Sequence, residues 1–422
     1  MPISDADIEE EQRHFANVVT TFRKYVPYHL AANNRRRKDL FTLPKADQDL
    51  LERLGYKQKL DEVDKAILAN EVFLSKIVVD PEIFGAEDEG EDDHMPEEED
   101  EADNPEPSSI GSGEHSSQSH SHSSGSRTHS HSHSHTHSQP HSHSSPKQYK
   151  PTEFDMDKLR STLKQFVRDW SAEGKEEREA SYGPMKDALL AHFSDIPKEE
   201  RRNFRVLVPG AGLGRLAYDV ASLGFACQGN EFSHYMLLAS FLILNKTDRP
   251  DMHTIYPYVH SFSNITDRAS MLRAVTIPDV EPTLPPGSAF SLVAGDFEEI
   301  YGGESDANEP QAGVWDAIMT CFFIDTAKNI VNYLRIIHAI LAPGGVWINL
   351  ELSTGPLLWH WENNNTNDPS VELDLVEVKE LAKMVGFEIE NERTIDATYT
   401  TNSQGMLGYT YRTAFWTARK KI

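Results

Sequence analysis

Residues 205–231 read Arg-Val-Leu-Val-Pro-Gly-Ala-Gly-Leu-Gly-Arg-Leu-Ala-Tyr-Asp-Val-Ala-Ser-Leu-Gly-Phe-Ala-Cys-Gln-Gly-Asn-Glu. A short apolar run, Val206 to Val208, breaks into a glycine turn at Gly210, Gly212 and Gly214. A helical pattern follows, then a second short strand that ends on Glu231. Glycines let the backbone approach a ligand where a side chain would collide, and a helix start offers free N–H groups. A carboxylate about 20 residues on, at the end of the next strand, is where nucleotide-binding folds hold ribose hydroxyls. The stretch predicts a strand, turn, helix and strand built around a nucleoside-type cofactor.

Glycine spacing narrows the choice. The dinucleotide fingerprint wants glycines at its first, third and sixth positions, and counting from Gly210 the sixth is Arg215. Gly-x-Gly-x-Gly is commoner where the ligand is S-adenosylmethionine, although such a turn can also merely join a strand to a helix. Later residues add to it. Phe290 to Ala294 reads as a strand ending in Gly295-Asp296-Phe297, where the acid can bond an adenine amino group and the ring can pack on the base. Val314 to Thr320 is a further strand, and Cys321-Phe322-Phe323-Ile324-Asp325 opens the loop after it. A helix from Thr326 to Leu341 then stops at Ala342-Pro343-Gly344-Gly345, before a strand from Val346 to Leu350. This order is a habit of class I methyltransferases.

Outside this core, residues 8–26 and 57–79 carry apolar residues at helical spacing and too much of them to float free. They predict an N-terminal helical region, residues 1–84, packed on the catalytic domain. Arg35-Arg36-Arg37-Lys38 between them reads as a solvated helix face, with a targeting or anion-binding patch as the alternative. From 85 to 148 the composition turns acidic, then Ser- and His-rich. Residues 87–106 hold 13 Asp or Glu and no Lys or Arg, and ten histidines lie between His115 and His143. Such a segment cannot bury enough apolar area to offset the entropy of ordering it, which predicts a disordered insertion. A metal or pH role is the alternative, but a metal site needs supporting partners that the tract lacks. No metal is expected at the active site.

The catalytic domain is then expected over 149–422. Residues 155–172 form a helix with Met156, Leu159, Leu163, Phe166, Val167 and Trp170 on its apolar face and Gln165 and Arg168 together off the other. Ser233 is expected to cap a helix through Asn245, and 246–288 to be irregular. A helix near 371–385, a strand around Phe387 to Ile389 and a run from Met406 to Ala418 complete the pattern. In that run Tyr409, Tyr411 and Phe415 would share a face.

The formal charge of −26 argues against a general nucleic-acid binder. Cys227 and Cys321 are the two cysteines, so a disulfide framework is excluded and a reducing compartment expected. Met1 to Glu11 shows no secretory pattern, and the longest apolar run, Met236 to Leu244, is too short to span a bilayer. A cytoplasmic location, with the nucleus also open, is therefore expected, without a membrane partner. A homo-oligomer is compatible with the sequence.

Several long blocks carry a resemblance. Ser161 to Ser171, Leu207 to Ala217, Cys227 to Glu231, Thr320 to Ala327 and Trp347 to Leu350 resemble the carnosine N-methyltransferase family, over about 10–80 and 150–422. The resemblance implies an α/β fold, a Rossmann-like class I methyltransferase domain with an additional N-terminal helical region. It implies S-adenosylmethionine as cofactor, held by Gln165, Arg168, Gly210, Glu231, Asp296, Phe297 and Cys321. Arg168 would pair with the cofactor carboxylate. It assigns Asp325, His360 and Tyr411 to a dipeptide, carnosine or a similar His-containing one, methylated on the imidazole nitrogen nearer the side chain (N-π) to give anserine. Asp325 and His360 would be catalytic. Two departures accompany this: the family's Tyr-His pair is Trp359-His360 here, and Glu351 to Thr354 either lengthens the join to Gly355 or, through Glu351, extends the strand. Two rival readings share most of the pattern: methylation of histidine in proteins, and an inactive binding module.

Overall fold

The computed structural model describes residues 5–79, 149–303, 311–351, 371 and 373–421. The insertion, His360 and the Trp359 departure lie outside these residues. Four helices open the chain: α1 (Asp5–Arg23), α2 (Tyr25–Thr42), α3 (Lys45–Arg53) and α4 (Tyr56–Ile77). Helix α5 (Glu153–Trp170), which α6 (Lys175–His192) follows, starts at a capping box in which Thr152 and Asp155 satisfy each other's backbone N–H groups. Its predicted apolar stripe is buried throughout. Phe15, Val18, Phe22, Val63, Ile67 and Phe73 share one core with Leu163 and Phe166 of α5, and Phe73 meets Phe166 edge-on at 5.0 Å.

The sheet has seven strands: β1 (Arg205–Pro209), β2 (Ala226–Glu231), β5 (Phe290–Ala294), β6 (Trp315–Cys321), β7 (Leu341–Glu351), β8 (Phe387–Ala397) and β9 (Tyr411–Lys420). Their order is β5-β2-β1-β6-β7-β9-β8. The first five run parallel, and β9 lies antiparallel between β7 and β8. The order reverses between β1 and β6, and a crevice outside the carboxyl ends of the strands at such a switch point is where these sheets bind ligands. This is the expected Rossmann-like class I architecture.

Local departures have physical reasons. The helix expected from Thr326 starts at Ile330, because Ile324–Thr326 forms a 3-10 turn and Asn329 caps the helix through Val331 N–H. Pro343-Gly344-Gly345 does not stop that helix before a new strand. Strand β7 begins at Leu341, and these residues bulge out where the pairing jumps from Trp315–Leu341 to Ala317–Val346. Ser233 sits at the start of α8 (His234–Lys246) without a side-chain cap bond. The 246–288 segment folds a small hairpin, β3 (His253–Ile255) with β4 (Val275–Ile277), and a single turn of helix, α9 (Arg268–Met271). The final run pairs only from Tyr411, so Tyr409 stands exposed outside the strand and shares no face with Phe415. The basic run on α2 is solvated in part: Arg35 and Lys38 are exposed, while Arg36 and Arg37 are half-buried. Arg37 pairs with Asp61 at 2.8 Å and Asp64 at 2.6 Å, and Arg36 lies over the ring of Phe262 at 3.7 Å.

Candidate active site

The glycine turn follows β1 directly. Gly210, Gly212 and Gly214 have φ of +64°, +55° and +78°, backbone that other residues rarely adopt. A Cβ on Gly210 would also stand 2.6 Å from the ring of Phe323, in the loop after β6. The turn is tied to the end of β2: Gly212 N–H donates to Glu231 Oε2 at 2.7 Å. The other oxygen of Glu231 accepts from Phe232 and Ser233 N–H at 2.9 and 2.8 Å. Burial pushes this carboxyl up in pKa, while the three N–H groups oppose that shift. Oε1 thus has both lone pairs engaged, and Oε2 keeps capacity for one further donor, such as a ribose hydroxyl.

Arg215, in the position a dinucleotide fingerprint gives to glycine, is buried. Its guanidinium binds Asp219 at 2.9 Å, Asp279 at 2.6 Å and the carbonyl of Asp169 at 2.8 Å. That side chain fixes the start of α7 (Arg215–Ser222) instead of admitting a pyrophosphate.

Gln165 and Arg168 are both buried, so solvent exposure does not account for them. Asp169, itself 1% exposed, organises the pair: it accepts from Gln165 Nε2 at 2.9 Å, Arg168 Nη1 at 2.8 Å and the Tyr182 hydroxyl at 3.1 Å. Arg168 Nη2 is buried and finds no hydrogen-bond partner among the described residues. A guanidinium held this way is a seat for a carboxylate. Gln165 and Arg168 lie on the same helix as Asp169, and packing against the helix of Tyr182 adds the third partner, which the sequence does not show. Asp169→Ala should therefore weaken cofactor binding by roughly 1.5–3 kcal/mol, since Gln165 and Arg168 lose their shared anchor. Calorimetry on the folded variant checks this.

After β5, Asp296 Oδ1 accepts from the N–H groups of Glu298 and Glu299 at 2.8 and 3.3 Å and so caps α10 (Phe297–Gly302). The Phe297 ring turns inward, 3% exposed, against Phe323 at 5.2 Å and Tyr333 at 5.1 Å. After β6, Phe322 takes φ of +52° and donates to the carbonyl of Leu350 at 3.0 Å. Such strain in a non-glycine residue persists only where its surroundings over-determine it. Asp325 follows on the 3-10 turn, 6% exposed. Glu351 extends β7 by one residue, pairs with Ala414, and accepts Ile324 N–H at 3.1 Å, pinning the turn that carries Asp325.

Tyr411 opens β9 opposite Ala397. Tyr399, not singled out in the sequence, stands between them in chain order and contacts the Phe322 ring at 5.2 Å and the Arg168 guanidinium at 5.1 Å. Burial pushes the Tyr399 phenol up to about 12, against the nearby Arg168. The structure thus gathers Gln165, Arg168, Cys321, Asp325 and Tyr399 beside the glycine turn. Burial pushes the Cys321 thiol up to about 12, against the nearby Arg168. Iodoacetamide at pH 8 should label it on the order of 10³-fold more slowly than an ordinary cysteine, read by mass spectrometry. Fast labelling of the folded protein would contradict that environment. Among the described residues no group of three or more His, Cys, Asp or Glu is arranged to hold a metal. No helix among them is long and apolar enough to cross a membrane.

Known proteins resemble this arrangement. A family model described as carnosine N-methyltransferase matches residues 145–422. A carnosine N-methyltransferase of Rattus norvegicus is 38% identical over 415 residues, 97% of this chain and 86% of its own. One of Schizosaccharomyces pombe is 44% identical over 274 residues, 63% of this chain and 71% of its own. Among solved structures, Haemonchus contortus phosphoethanolamine N-methyltransferase 2 in complex with S-adenosyl-L-methionine is 14% identical, with a TM-score of 0.32 over 62% of this chain and 60% of its own. With a family model matching well over half of its length and a relative 38% identical along 97% of it, the chain belongs to the carnosine N-methyltransferase family.

Proposed function

We propose that this protein methylates the imidazole nitrogen nearer the side chain (N-π) of histidine in carnosine or a related His-containing dipeptide, giving anserine. S-adenosylmethionine, when bound, supplies the methyl group on a sulfonium. The residues suit it: a glycine turn open to a backbone approach, Glu231 for the ribose hydroxyls, Asp296 for the adenine amino group, and the unsatisfied Nη2 of Arg168 for the carboxylate. Phe297, its ring buried, would offer the base its backbone N–H.

The observation that carries the reading is the placement of Asp325, a buried carboxylate on a turn pinned by Glu351, in the loop after β6 whose Phe323 ring faces Gly210. An imidazole has two nitrogens, and selecting one requires that the other be held as a donor. Asp325 would accept the distal N–H, leave the nearer lone pair to attack, and balance charge as the methylimidazolium forms. Alignment does the remainder, for which proximity supplies up to ~7–11 kcal/mol. His360 and Tyr411 complete the substrate wall in this reading.

Turnover of carnosine, free histidine and His-containing peptides, with NMR of the product, tests it. Carnosine should be the best substrate and the methyl should sit on the nearer nitrogen. Methyl on the distal nitrogen, or preference for a peptide-internal histidine, would overturn the proposal. Glu231→Ala should weaken cofactor affinity by roughly 1.5–3 kcal/mol, and unchanged calorimetric affinity would remove Glu231 from the site.

A further inference from the structure

A cavity of about 420 Å³ opens between α2, α5 and the 257–262 segment. Its wall carries four cations, Arg35, Arg36, Arg160 and Lys164, against two carboxylates, Glu153 and Asp157, a net charge of +2. Both carboxylates are already engaged. Glu153 pairs with Arg160 at 2.5 Å and accepts the Tyr28 hydroxyl, while Asp157 pairs with the same Arg160. Neither Arg36 nor Lys164 has a carboxylate within ion-pairing distance among the described residues.

Two further details concern hydrogen bonding. Arg36 stacks over Phe262, which leaves its in-plane N–H groups for an acceptor. His29 is 4% exposed, stacked on His260 with centroids 4.0 Å apart, and its Nε2 has no partner among the described residues. The second ring is fixed by Tyr25, whose hydroxyl lies 2.9 Å from His260 Nε2. Burial lowers the pKa of Lys164 and of Arg36, the cost of holding cations without counter-charge. An anion in the cavity would offset that cost.

We propose that this cavity is a second ligand site, binding the phosphate group of a small molecule. A dianion matches the net charge of +2, which one carboxylate would half satisfy. Its oxygens can accept from guanidinium, ammonium and imidazole donors lying in different directions. The volume suits a small organic body, and Val63, Ile67 and Val259 supply apolar wall for it. The inference is independent of the proposed methyl transfer.

Calorimetry on the full chain tests it, with S-adenosylhomocysteine saturating so that only a second site responds. Inorganic phosphate, pyrophosphate and glycerol 3-phosphate are titrated into wild type, Arg36→Gln and Lys164→Gln. Saturable binding is expected, weakened at least about tenfold in each variant. Equal affinity for inorganic phosphate and the ester identifies a free-anion site; tighter binding of the ester identifies an organophosphate. S-adenosylhomocysteine affinity and thermal stability should hold in both variants, because each removes an uncompensated cation. Lys164→Ala repeats the comparison if Lys164→Gln folds poorly. No saturable binding of any probe up to about 10 mM, or binding that the variants retain, would overturn the proposal.

Discussion

Asp325→Asn is expected to lower turnover on carnosine by on the order of 10²-fold or more, with cofactor affinity little changed. The substitution keeps the size of the side chain but removes the charge proposed to balance the forming imidazolium. It also lets the amide hold the wrong ring tautomer, by donating where the carboxylate accepts. Because the turn is pinned from outside by Glu351, the backbone should stay in place and the loss should fall on kcat. Steady-state kinetics with product NMR decides the matter: near-normal turnover would remove Asp325 from the chemistry. Glu351→Gln provides the contrast. It keeps an acceptor for Ile324 N–H, and should cost much less than Asp325→Asn.

Asp279→Ala is expected to destabilise the protein by about 3–5 kcal/mol. Asp279 bridges two buried guanidiniums, Arg178 and Arg215, at 2.6 Å each, and its own N–H donates to the carbonyl of Trp170. The substitution leaves Arg178, 1% exposed, with backbone carbonyls alone. Burial by itself would raise the Asp279 carboxyl, but the two guanidiniums hold it below its ordinary 3.8. A lowered carboxylate stabilises the fold above its unfolded value and loses that contribution as pH falls through the folded one. The difference between wild type and Asp279→Ala in urea unfolding should therefore be full at pH 7 and shrink below pH 3.8. A constant difference across that window would show that packing, not charge, holds the segment.

The cofactor half of the fold is legible because its signals are local. A glycine turn between a strand and a helix, an acid ending the next strand, and Gly295-Asp296 after another each lie within a few residues. What the sequence hides is pairing across the fold. Asp169 and Glu351 look like ordinary acids until packing delivers the Tyr182 hydroxyl to one and the Asp325 turn to the other. Arg37 reads as a solvated cation because its partners lie 24 and 27 residues away. Phe297 follows Asp296, the acid proposed for the adenine, yet the short helix it opens rotates the ring into the aromatic core. Strand β9 is equally hidden: its aromatics alternate from 409, but the antiparallel ladder against β7 and β8 starts at Tyr411.

The shared core of the first helices and α5 has an energetic consequence. The family model starts at residue 145, but α5 buries its apolar stripe against side chains from 15 to 78. The same α5 presents Gln165 and Arg168 from its other side. Opening α1 or α4 would therefore loosen the helix proposed to grip the cofactor, and on that proposal thermodynamic reciprocity has cofactor tighten those helices in return. Amide hydrogens around Phe15, Phe22 and Phe73, far along the chain from every cofactor residue, should exchange more slowly once S-adenosylhomocysteine is bound.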